Sequence, residues 1–352
     1  MDLIFLISFS CLLFTLSGAA IDPTSGVCYG QLGNNLPSPS KSVELIKSLK
    51  AGRVKLDDAN PKILTALSNI NIPVTITVPN KIITAIASNQ TLADEWVTSN
   101  VARFYPQTKI QTVLVGKQVL SQPDNVTWFN LVPAMYRIRK SLVSHNLKKI
   151  KVGTPLAMDC LNTFTPPSSA NFRSNVANTV IKPLLHFINH TKSFFFVDVY
   201  PYYAWASDPK NIDLNYALLE PNTKWYLDEP VGLFFTNLLE QMLDAVYFAM
   251  KGAGYPDIRL SISETGWPNG GGVDQSGANI HNAAVYNKNV IKTLTKIPLR
   301  GTPYKPFVAL PSFISALYNE NQKPGPETER HFGLFYPNGT SIYPINLSGK
   351  ST

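Results

Sequence analysis

The sequence predicts an α/β fold, a single (β/α)8 TIM barrel, and three observations lead there. Eight short apolar runs of strand character alternate with helix-like stretches or long loops, the order that a closed parallel barrel requires. No glycine-rich phosphate loop follows an early strand, which disfavours the competing open, doubly wound sheet. With 352 residues, 44% of them hydrophobic and 15% charged, the chain is long enough to bury a barrel core as one domain, and no linker divides it.

The elements follow in order. Gly26 to Gly30 reads as the first strand, and Ser40 to Leu49 as a helix started by a Ser-Pro-Ser cap. Arg53 to Leu56 is the second strand, Val74 to Val78 the third, Thr112 to Val115 the fourth and Lys149 to Val152 the fifth. Phe194 to Val199, Ile258 to Ser263 and Phe313 to Tyr318 complete the eight. Helical patterns lie between them at Pro61 to Leu67, Val132 to His145, Phe172 to Asn189, Phe235 to Lys251 and Asn279 to Thr295. In a barrel, residues just beyond the strand ends face the active site. Those positions carry Tyr29, Asp57, Asp58, Lys117, Gln118, Asp198, Tyr200, Glu264, Trp267 and Glu320.

Residues 1–20 read as a secretory signal, an apolar run from Leu3 to Leu16 followed by small residues, which leaves 21–352 as the barrel domain. The run of about 14 apolar residues is too short to span a bilayer. Five N-x-S/T sequons, at Asn89, Asn125, Asn189, Asn338 and Asn346, suit a secreted glycoprotein. Beyond the signal only Cys28 and Cys160 remain, and their places after different strands argue against a disulfide. No hydrophobic tail follows Lys350, so no glycosylphosphatidylinositol anchor is expected. A net charge of +8 reads as a solvated basic surface, without the basic and aromatic interleaving of a nucleic-acid binder. The histidines are scattered, so no metal site is expected.

One stretch organises the chemistry. Leu260 to Gly272 begins as a buried strand and sets Glu264 where that strand gives way to Thr265, Gly266, Trp267 and Pro268. Ser263 to Pro268, SETGWP, resembles the nucleophile motif of glycoside hydrolase family 17, the plant β-1,3-glucanases and their relatives. The resemblance extends to GVCYG at Gly26, RVKL at Arg53, VPAMYRIRKSL at Val132, PPSSANFRS at Pro166 and NENQKPGPETERHFGLFYPNG at Asn319, in the family's order and spacing. It implies a (β/α)8 barrel with Glu264 as nucleophile, a β-1,3-glucan of callose or laminarin type as ligand, and no cofactor. A monomer, secreted to the wall or apoplast or delivered to the vacuole, is the expected form.

Retaining glycosidases use two carboxyls about 5 Å apart, one attacking the anomeric carbon while the other protonates the leaving oxygen. The resemblance implies an acid/base Glu ending a Val-Gly-Asn-Glu motif, but this chain has Val115-Gly116-Lys117-Gln118. Gln118 keeps the shape of Glu without a titratable proton, and Lys117 can donate to a sugar 2-hydroxyl but cannot accept from it. Asp57 stands where the family usually has a tyrosine, and Asp198 where it commonly has an asparagine. An Asp57–Lys117 ion pair closing part of the cleft is expected, with Asp57 as a displaced proton donor the sharper alternative. Tyr29, Tyr200 and Trp267 are expected as sugar platforms, and Glu320, Lys323 and Glu329 match family positions flanking the nucleophile. Two functions remain open: a retaining endo-1,3-β-glucosidase weakened by the loss of its acid, and a glucan-binding pseudoenzyme.

Overall fold

The computed structural model describes residues 24–221 and 224–349; the expected signal segment lies outside them. Its strands are β1 Gly26–Tyr29, β2 Val54–Leu56, β3 Val74–Val78, β4 Ile110–Val115, β5 Lys151–Gly153, β6 Pro155–Ala157, β7 Phe194–Asp198, β8 Tyr226–Asp228, β9 Leu233–Phe235, β10 Arg259–Thr265 and β11 Ser312–Ile314. Nine of them form one sheet in the order β5-β4-β3-β2-β1-β11-β10-β7-β6, with every pairing parallel. The two end strands, β5 and β6, are separated in sequence by Thr154 alone. The sheet therefore curls into a nearly closed barrel of eight staves, of which the fifth is broken in two.

Several expected boundaries move, three of them with consequences for the barrel's closure and its outer elements. The fifth strand is not Lys149 to Val152 but β5 plus β6, because the first piece pairs with β4 and the second with β7. The eighth stops at Ile314, and Tyr318 makes only an isolated parallel bridge to Phe335. Phe235 is not helical: it ends a β8–β9 hairpin, and Asn237 then caps the helix Leu238–Gly252 by accepting from the Glu240 N–H.

The staves are buried on both faces, by the lumen and by the surrounding helices, so they read as near-continuous apolar runs. Among the polar residues that interrupt these runs, Lys55 in the middle of β2 is 1% exposed. A buried ammonium needs partners, and its partners mark the site. Elsewhere, Cys28 and Cys160 are buried free thiols. No described helix is long and apolar enough to cross a membrane.

Candidate active site

The site is built where β10 ends. Register between β10 and β7 slips after Ile262–Val197, so that Glu264 pairs with Asp198 and Ser263 is an extra residue. Such a bulge re-aims the side chain that follows it. Glu264, 2% exposed, enters the C-terminal mouth of the barrel beside a second carboxyl, and the Ser263 hydroxyl donates a short hydrogen bond to Asp198.

The facing strands supply the opposite charge. Lys55 and Asp57 lie two residues apart and share a face of β2 and its extension. Lys55 Nζ lies 2.6 Å from Glu264 Oε1 and 2.8 Å from Asp57 Oδ1. Lys117 Nζ completes the ring, 2.8 Å from the same Glu264 oxygen and 2.6 Å from Asp57 Oδ2. The expected Asp57–Lys117 ion pair is thus one side of a four-membered network of two ammonium and two carboxylate groups. Tyr200 donates to the other Glu264 oxygen, Oε2, at 2.8 Å. Burial pushes the Glu264 carboxyl up, but Lys117 and then Lys55 outweigh it and hold it at about 2. Asp57 is also pushed up by burial and pulled further down, by Lys117 and Lys55, well below the ordinary carboxylate range. The two ammonium groups thus favour the ionised form of Asp57, which weighs against the displaced-acid alternative.

The β4 rim is rigidly built. Gly116 has φ +72°, and a Cβ there would lie 2.4 Å from Val119 and 2.7 Å from Ile83. Asn80 clamps the next residue from both sides, accepting from the Lys117 N–H at 2.7 Å and donating to its carbonyl at 3.0 Å. Gln118, itself at φ 48°, is thereby aimed inward, and its Nε2 donates to Asp198 Oδ2 at 2.8 Å. Gln118, Lys117, Asp198, Tyr200, Tyr203, Glu264, Lys323 and Glu329 line one cavity of about 430 Å³.

The sequence of residues 25–347 matches the family model of glycosyl hydrolases family 17. The chain belongs to that family. It is 52% identical over 326 residues to the probable glucan endo-1,3-beta-glucosidase A6 of Arabidopsis thaliana, an alignment covering 93% of this chain and 68% of the relative. Glucan endo-1,3-beta-glucosidase 11 of the same plant is 38% identical, with 99% of this chain and 80% of the relative aligned. Among solved structures, a beta-1,3-glucanase and allergen of Cryptomeria japonica pollen superposes with a TM-score of 0.87 at 40% identity, covering 92% of this chain and 99% of that one. A plant beta-glucan endohydrolase superposes at 0.84 with 36% identity, over 91% and 99% of the two chains.

On this family 17 barrel, two residues expected at the cleft lie elsewhere. Tyr29 is 3% exposed and turns its hydroxyl outward to Ser42, at 2.8 Å, beneath the helix Pro39–Ser48. Trp267 is wholly buried among Tyr202, Trp205 and Tyr286, and its indole N–H donates to the Gly277 carbonyl at 2.8 Å. Both rings pack because a large apolar ring at a strand end finds more contact in the helical layer than at a wet rim. Glu320 is buried behind the cavity wall and accepts from the Leu32 N–H at 2.7 Å, tying the loop after β1 to the loop after β11. Lys323 and Glu329 do reach the cavity, as a 3.2 Å ion pair, and Tyr203 donates a short hydrogen bond to Glu329. Lys55 was not among the expected site residues, nor were the apolar wall residues Met158, Phe164 and Met242.

Asp198 carries a pH consequence. Burial first, and the charge of Glu264 second, push its carboxyl up to about 6. A carboxyl raised on folding favours the folded state when protonated, so its contribution is complete below its unfolded value of 3.8 and is lost as pH rises through about 6. Asp198→Asn keeps the hydrogen-bonding shape without the charge. The variant is expected to be more stable than wild type at pH 7 by about 1–3 kcal/mol, the advantage vanishing towards pH 4. Urea denaturation at stepped pH reads this directly, and parallel curves would mean that Asp198 stays ionised throughout.

Proposed function

We propose that this family 17 chain holds β-1,3-glucan in the barrel-top cleft and hydrolyses it far more slowly than a barrel with two catalytic carboxyls. The observation that carries the reading is the Gln118 amide, whose Nε2 donates to Asp198 at the cavity rim; by resemblance this is the position of the family's acid/base carboxyl. Protonation of the leaving oxygen is worth about 10²- to 10⁴-fold, and an unactivated sugar alkoxide depends on it most. Glu264 supports the same reading. Two ammonium groups occupy Oε1 and lower the carboxylate's nucleophilicity, which leaves attack to the second lone pair of Oε2, beside the Tyr200 hydroxyl. Glu264 is the nucleophile position, and Lys117, Tyr200, Lys323 and Glu329 offer donors and acceptors to sugar hydroxyls. Glucan as ligand rests on family membership and on the names of the relatives. Residues 1–20, read as a secretory signal, make the cell wall or apoplast the proposed location.

Asp198 favours a second reading. It lines the cavity and holds a proton below about pH 6, so slow hydrolysis confined to acid pH, abolished in Asp198→Asn, would make it the proton source. The primary test is paired: laminarin binding by calorimetry, and reducing-sugar release from the same polymer. Binding with release at least 100-fold slower than from a family member with both carboxyls is expected. Release at that member's rate would overturn the proposal. So would a failure to bind.

A further inference from the structure

A second cavity, of about 490 Å³, adjoins the first and shares Phe164 and Ala204 with it. Trp225 and Tyr226, where the chain enters the β8–β9 hairpin, form one part of its wall. Leu227 pairs with Phe234 across the hairpin, so Phe234 and Trp225 lie on one face and Tyr226 and Phe235 on the other. The inner face does the packing, with Phe235 wholly buried, whereas Trp225 and Phe234 remain 59% and 57% exposed. An apolar outer face that contributes nothing to the core invites a ligand explanation. The Phe234 ring stands edge-on to the Trp225 indole at 5.3 Å and 61°, holding that indole in one orientation while it lines the cavity.

Polar groups line the same cavity alongside apolar Ile212 and Leu238. Asn211 bonds to Asp208 at 2.9 Å, Lys224 pairs with Asp213 at 3.5 Å, and Gln241 lies deeper, tied to Tyr216 at 2.8 Å. A flat aromatic face beside a cluster of amide, carboxylate and ammonium groups matches a β-linked glucose ring. All its substituents are equatorial, so its faces are apolar C–H surfaces and its edge is a belt of hydroxyls.

We propose that this cavity is an outer subsite of the same cleft, stacking one glucose ring of a long β-glucan on Trp225 while the reducing or non-reducing remainder of the chain occupies the cavity beside Glu264. The inference rests on the glucan-binding reading above. Adjacency of the two cavities, which share Phe164 and Ala204 in their walls, selects a polymer of the substrate's own class as occupant.

The test compares the affinities of laminaritriose and a long laminarin for wild type, Trp225→Ala and Trp225→Phe. Wild type is expected to prefer the long chain, and Trp225→Ala to reduce the long-to-short affinity ratio roughly tenfold, with Trp225→Phe recovering most of it. A half-exposed ring can be removed without opening the core, and thermal unfolding of the variant reads that separately. An unchanged ratio in Trp225→Ala, or wild-type affinities that do not grow with chain length, would overturn the subsite while leaving the central binding site in place. Wild type that binds neither ligand would overturn the glucan reading itself, and the subsite with it.

Discussion

Lys117→Asn combined with Gln118→Glu is expected to raise laminarin hydrolysis by about 10²- to 10⁴-fold over wild type, with Gln118→Glu alone gaining markedly less. The two changes act on different faults. The Gln118 amide nitrogen is 2.8 Å from an Asp198 oxygen, so a carboxyl in its place would sit against a second buried carboxyl. Like-charge repulsion and burial would keep a proton on the pair at neutral pH, which is what a general acid needs. In the single variant Lys117 still reaches the same rim, favouring the ionised form of any nearby acid, and still occupies Glu264 Oε1 at 2.8 Å. Removing it strips one of two ammonium groups from Glu264 Oε1 and supplies a residue that can accept from a sugar hydroxyl. Initial rates of reducing-sugar release across the four variants of this cycle decide the matter. If the double variant remained as slow as wild type while binding laminarin normally, the missing acid would not be what limits this barrel.

Much of the barrel was legible because buried parallel staves leave short runs rich in β-branched and aromatic residues, as in Val74–Val78 and residues 194–197. The break at Thr154 was not, since it depends on which neighbour each half of the fifth stave pairs with. Of the β8–β9 hairpin only Phe235 was read into the following helix, because it also suits a buried helical turn and only the Asn237 cap separates the two. At the site, Glu264, Lys117, Gln118, Asp57 and Asp198 could be placed on one rim because each ends a strand. Lys55 could not. A lysine inside RVKL looks like a charged strand edge until closure of the barrel turns its side chain into the lumen, within reach of residues more than 200 positions away. Tyr29 and Trp267 failed for the complementary reason: position at a strand end does not say whether a ring turns to the cleft or to the helices.

Lys55→Met is expected to destabilise the fold by about 3 kcal/mol at pH 7, an effect as large as opening a core cavity. The side chain is 1% exposed and touches two carboxylates, so its removal leaves Glu264, 3% exposed, with a diminished share of positive charge in a place water barely reaches. Lys117 stays bonded to both carboxylates, which puts the loss at the lower end of the range for breaking a buried pair. Glu264 has its carboxyl held down at about 2, so its stabilising contribution is present above its unfolded value of 4.5 and is lost as pH falls through about 2. The gap between wild type and Lys55→Met should accordingly be widest above pH 4.5 and narrow on acidification. Glu264→Gln in the Lys55→Met background should recover part of the loss, because a neutral amide no longer needs the missing ammonium. A loss below about 0.5 kcal/mol at pH 7, typical of an exposed substitution, would mean that the lysine adds little to the folded state. The charge ring would then be incidental to the fold, and Lys117 alone would suffice to keep Glu264 ionised.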